Sequence, residues 1–193
     1  MISVKEKNNT HRKTAIFVGV LMLVAYSVIG SGNPEAKALG MVLEVISGIA
    51  VIAIAVLMFP ILKPYNKKAS YWYFVLRIIE GSLLVITGIL FLSNSPLLLG
   101  VYNGIHVVHG YIFGIAALIF NFLLYKSKLV PRWLSVFGVI ATLLLIIVNL
   151  LEVTGIVSEL MILKFPIFLN EIVLAIWLIA KGFSPSATAS VAN

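Results

Sequence analysis

The chain has no cysteine among its 193 residues. That excludes disulfides, thiolate metal centres and cysteine nucleophiles. Charge is also scarce. Asp, Glu, Lys and Arg make up 11% of the residues, where a soluble domain carries roughly a quarter. A glycine-rich phosphate loop, a nucleophile elbow and a basic patch with interleaved aromatics are all missing. Nucleic acid is therefore not an expected partner, despite a net charge of +7.

Apolar sequence fills the space. The chain is 61% hydrophobic, with a mean hydropathy of +1.11. A soluble domain of this size cannot hide that much apolar surface, so the composition specifies an integral membrane protein. Six runs approach or reach bilayer length, at about 14–32, 38–59, 71–92, 102–125, 133–153 and 160–181. Pro60 is expected to stop the second, and Pro166 to break the sixth. The basic start followed by an apolar run also fits a secretory signal peptide. A retained span is preferred, because the turn from Gly30 to Pro34 leads straight into the next run. The expected organisation is a polar segment 1–13, a six-span domain 14–183 and a disordered tail 184–193.

The basic residues are distributed unevenly. Both termini and the loops 61–70 and 126–132 hold eleven of the fourteen, the opposite side holds Lys37 and Lys164, and Arg77 lies within a span. The positive-inside rule then puts both termini in the cytoplasm. The expected fold is an all-α integral membrane bundle of six transmembrane helices, multi-pass in the cell membrane.

Each span carries a stripe of small or polar residues at helical spacing. The stripe in the fourth is Asn103, His106, Gly110, Gly114, Ala117 and Asn121. Such stripes let membrane helices approach closely. Gly110-x-x-x-Gly114 suits packing within one chain or against a second copy equally well.

The ionisable residues are harder to explain by packing, because a charge within the hydrocarbon is costly. Arg77 and Glu80, three apart, share a helical face. At about 1.5 Å of rise per residue, Glu44, Glu80, His106, His109 and Glu171 fall roughly 6–18 Å from the outer ends of their spans. These five and Arg77 form the candidate buried polar network. Arg77 pairs with Glu80, or instead with Glu171 across the bundle. Glu44 reads as a carboxyl in a wet outer vestibule, His106 as a histidine hydrogen-bonded to a neighbour, and Glu152 and Glu159 as solvated end residues. His109 lies about 100° off the small-residue stripe. Histidines three apart can share a ligand set, but there is no Glu-x-x-His and no His-Glu-x-x-His. No metal ligand, cofactor or catalytic residue is assigned. Lys63, Arg132, Trp133 and Lys181 read as membrane anchors at the headgroup level. Membrane lipids are the expected partners, and a membrane-protein partner or second copy stays open.

Several segments occur together in order: Arg12-Lys13-Thr14-Ala15, Phe59-Pro60-Ile61-Leu62-Lys63, Tyr65-Asn66, Arg77-Ile78-Ile79-Glu80-Gly81, the run from Tyr125 to Ser135, Asn170-Glu171 and Lys181-Gly182-Phe183. In these, over about residues 12–183, the chain resembles the domain of unknown function 4386 family of small bacterial and archaeal multi-span membrane proteins. The resemblance implies a compact helical membrane bundle and no particular reaction. It supports singling out Arg77, Glu80 and Glu171. The expected function is accordingly a non-enzymatic transporter-like, sensor or accessory membrane protein. An intramembrane enzyme acting on a lipid or other apolar substrate is one alternative, and a redox or cofactor carrier is another.

Overall fold

Backbone polar groups in hydrocarbon must be satisfied within their own segment, which favours helices wherever the sequence is continuously apolar. The computed structural model describes residues 4–30, 34–93, 95–156 and 161–184, and contains no strand among them. Six helices follow one another: α1 Val4–Ala25, α2 Lys37–Leu62, α3 Lys67–Phe91, α4 Pro96–Ser127, α5 Arg132–Val153 and α6 Met161–Ala180. Short 3-10 turns at Tyr26–Gly30 and Pro34–Ala36 link α1 to α2. All six helices are long and apolar enough to cross a membrane. The expected tail lies outside the described residues apart from Ser184, and so does Glu159.

Helix ends depart from the expected spans for local reasons. α1 begins at Val4 and not near residue 14, so the helix runs through the basic segment. Pro60 does not stop α2, which continues to Leu62. Proline lacks an N–H and crowds the carbonyl four residues back, but so near a helix end little remains to be disrupted. α3 begins early because the Asn66 side chain accepts a hydrogen bond from the Ala69 N–H at 3.1 Å, a standard N-cap. α4 also begins early. Pro96 occupies its first turn, where a missing N–H costs nothing. At 32 residues, α4 measures about 48 Å and outruns a hydrocarbon core of about 30 Å. It ends at Lys128, in the left-handed region with φ 56°. Pro166 lies inside α6 without ending it.

Each helix packs against the next, and α6 returns to pack against α1, closing a ring. Small residues set the contacts. A Cβ on Gly48 would lie 2.5 Å from the Gly81 carbonyl oxygen, and one on Gly81 would lie 2.6 Å from that of Gly48. The α2 and α3 backbones therefore touch. Gly19 approaches the Ala175 carbonyl of α6 in the same manner. Gly110 and Gly114 face Asn149 and Ile146 of α5, so Gly110-x-x-x-Gly114 serves packing within the chain. Outward-facing isoleucines such as Ile49, Ile86, Ile140 and Ile176 are exposed, as a lipid-facing surface requires.

The half of the ring near the 63–66 and 128–131 turns is filled solid. Met58, Tyr73, Phe120, Leu124, Leu134 and Leu178 are buried there in one cluster, with the Tyr73 and Phe120 rings stacked at 5.0 Å. At the same end, Arg12 donates to the Leu178, Ile179 and Ala180 carbonyls at 3.2, 2.9 and 3.1 Å. This caps α6 from α1. Arg12 thus satisfies orphan carbonyls at the α6 C-terminus directly.

Replacing Gly81 by Ala should force α2 and α3 apart and cost about 1–3 kcal/mol, the usual range for overpacking. Gly104, with nothing within 4 Å of its Cβ position, should accept Ala without loss. Thermal melting of the two variants in mild detergent checks the contrast.

Candidate functional site

Arg77 sits midway along α3, turned into the ring and 5% exposed. Its Nη1 donates to both oxygens of Glu80, at 2.9 and 3.1 Å. Its Nη2 lies 3.6 Å from Glu171 Oε1 on α6. The guanidinium is held between two rings, with its Cζ 5.8 Å from the Tyr73 centroid and 5.5 Å from that of Phe113. Both expected pairings are thus present together. Helix periodicity explains the first, since positions i and i+3 are neighbours. The second depends on the ring placing α6 opposite α3.

Glu171 has a further partner. Tyr26, in the turn after α1, donates its hydroxyl to Glu171 Oε2 at 2.6 Å. Tyr26 lies on the small-residue stripe of the first span, at helical spacing from Gly19, yet nothing in the sequence separates a tyrosine that packs from one that binds a carboxylate.

The α4 histidines approach different carboxylates. His109 Nε2 lies 3.8 Å from Glu80 Oε1, and His106 Nε2 lies 3.4 Å from Glu44 Oε1. Neither nitrogen makes a hydrogen bond. Both side chains are partly buried, at 31% exposure for His106 and 19% for His109. Glu44 is not in a wet vestibule. It is fully buried and accepts a hydrogen bond from Tyr102 at 2.8 Å. Tyr102, His106, His109 and Phe113 form a ladder of rings down one face of α4, with centroids 4.5, 6.0 and 6.5 Å apart. That face turns toward α2 and α3, while Gly110 and Gly114 turn toward α5. The small-residue stripe and the histidine face are therefore distinct, and His106 belongs to the latter. Glu152 is not a free end residue either; Lys164 binds it at 2.6 Å and ties α5 to α6. Among the described residues no three His, Asp or Glu side chains converge on a point suited to a metal ion.

A cavity of about 630 Å³ opens beside the network. Arg77, Glu80, His109, Glu171 and Tyr26 line one part of it. Met22, Val51, Leu84, Phe113, Phe165 and Phe168 supply the apolar remainder. It occupies the half of the ring that the solid core leaves empty. The anchoring candidates lie at the other end. Lys63 Nζ is 5.7 Å from the Phe59 ring, Arg132 Cζ is 5.2 Å from the Tyr125 ring, and Trp133 and Lys181 are exposed.

A closed ring of six membrane-length helices, braced by an internal ion network, defines the class as a small polytopic membrane bundle. The chain belongs to the DUF4386 family, described as a domain of unknown function, whose sequence model matches residues 24–182. An uncharacterised protein of the archaeon Archaeoglobus fulgidus is 31% identical over 132 residues, covering 68% of this chain and 76% of that protein. No solved structure matches.

Replacing Arg77 by Leu leaves two buried carboxylates without their cation and should cost about 3–5 kcal/mol. Tyr26→Phe removes one hydrogen bond to a charged group, worth about 1.5–3 kcal/mol. Equilibrium unfolding in detergent should rank Arg77→Leu below Tyr26→Phe. An Arg77→Leu variant as stable as wild type would show that the pairing does not hold the bundle.

Proposed function

We propose that this protein is a non-enzymatic, transporter-like or sensing protein of the cell membrane, with both termini cytoplasmic. In this reading its cavity takes a small amphipathic molecule. One observation carries the proposal: a cavity of about 630 Å³ is lined mainly by aliphatic and aromatic side chains, with Tyr26, Arg77, Glu80, His109, Lys164 and Glu171 as its polar groups. Ligand sites have this composition, largely apolar with a few convergent polar groups that fix orientation. The polar end of a ligand would meet Arg77, Glu171, Tyr26 and His109. The ion network supports binding more than reaction, because Arg77, Glu80, Glu171 and Tyr26 are engaged in holding one another.

A second reading rests on the approach of His109 to Glu80 at 3.8 Å beside the same cavity. A histidine and a carboxylate facing a substrate space suit general acid–base work, and would make the protein an intramembrane enzyme acting on an apolar substrate.

The test is extraction of the purified protein, in mild detergent, with mass spectrometry of the co-purified small molecules. Elemental analysis and an absorption spectrum come from the same sample. Wild type should carry an amphipathic molecule near one per chain, and Leu84→Trp, which fills the cavity, should lose it. Identical extracts from a stably folded Leu84→Trp variant would refute the binding reading. A metal or chromophore near one per chain, lost in His109→Ala, would put the enzyme or the carrier reading first.

A further inference from the structure

A second hollow, of about 480 Å³, lies at the end of the bundle away from the ion network. The turn between α4 and α5 forms one wall, and the end of α6 with residues 181–184 forms the other. Lys128, Arg132 and Lys181 stand on its rim and are exposed, while Leu129, Val130 and Phe183 are buried beneath. Among the described residues no carboxylate lines it. None of the three cations is ion-paired among the described residues.

The walls are fixed. Lys128 holds a left-handed conformation, and Ser127 Oγ accepts from the Leu129 N–H at 3.4 Å. The Ser184 N–H donates to the Leu129 carbonyl at 2.8 Å, joining the two walls. Arg12 already serves the α6 carbonyls, so Lys181 is not needed there. Three like charges around one hollow repel each other unless an anion sits among them. The surroundings indicate where that anion comes from. Tyr125 and Trp133 are exposed beside the hollow, and exposed aromatics of this type mark the headgroup level.

We propose that this hollow binds the phosphodiester headgroup of an anionic phospholipid. Lys128, Arg132 and Lys181 surround the phosphate, and Trp177 with Pro131 lies against the glycerol and the first acyl carbons. A free phosphate would use the cations but not the apolar wall.

The test is native mass spectrometry of the intact chain, titrated with phosphatidylglycerol or with phosphatidylcholine of the same acyl chains. Phosphatidylglycerol should bind at one saturable site and phosphatidylcholine should not. Each single variant, Lys128→Gln, Arg132→Gln or Lys181→Gln, should weaken the site about five-fold, from roughly 1 kcal/mol per cation near an anionic surface. The triple variant should abolish it. The comparison is Lys63→Gln/Lys67→Gln/Lys68→Gln, which removes equal charge from the neighbouring basic turn and should leave the site intact. Equal losses in both triple variants would mean diffuse attraction and overturn the proposal. Full competition by millimolar inorganic phosphate would assign the hollow to a free anion, which also overturns it. Should the triple variant not fold, the single variants decide, because a site unchanged in all three is not built by these cations.

Discussion

The bundle depends on accommodating one cation. Arg77 brings a permanent charge into a ring of apolar helices, where an unpaired charge is costly. In a ring of six helices α3 and α6 stand opposite each other. The contact from Arg77 to Glu171 therefore crosses the interior, while the bond to Glu80 stays on α3. Tyr26 extends the chain of contacts from Glu171 to the end of α1, beside the seam where the ring closes. Lipid-facing surfaces provide no hydrophobic reason for one helix arrangement over another, since lipid tails are as apolar as leucine. A charge that needs partners from two opposite helices does provide one. The cavity lies against this cross-brace.

The architecture was readable because bilayer physics is coarse. Six apolar runs and their intervening turns place six helices. What the runs concealed was helix length. α1, α3 and α4 all begin earlier than the apolar stretches do, because helical hydrogen bonding continues through polar residues; a cap starts α3 and a proline lies in the first turn of α4. Hydropathy measures the solvent around a segment and not its backbone conformation. The same limit explains Pro60, which interrupts an apolar pattern without interrupting the helix.

The site was readable to the extent that charge must balance. Arg77 with Glu80 follows from spacing alone, and Glu171 stands out as the alternative partner across the bundle. Glu44 was misplaced because sequence depth says nothing about which way a residue turns. The bond from Tyr102 comes from one turn before His106 on α4, and neighbouring turns of one helix are indistinguishable without their partners. Glu152 reads from the sequence as a solvated end residue, yet the return of α6 alongside α5 brings Lys164 to it. Each of these contacts forms between helices, so helical periodicity had no means of specifying it.

The two halves of the ring solve the same packing problem in opposite ways. Toward the basic turns, large side chains interlock and fill the centre. Toward the other end, carboxylates, histidines and tyrosines replace them and a cavity remains. Polar groups do not fill a core as aliphatic ones do, because each requires a partner at a particular distance and direction. Asn121 and Asn170 mark the change from one regime to the other. Their amide nitrogens donate to the Ala117 and Leu134 carbonyls at 2.9 Å each, and their oxygens crowd the Cβ position of Gly138. The seam among α4, α5 and α6 is thus closed by carboxamides, at Gly138, where a side chain would keep them out. Close packing of backbones at one level and spacing enforced by a buried charge at the next allow so small a bundle to be both stable and hollow.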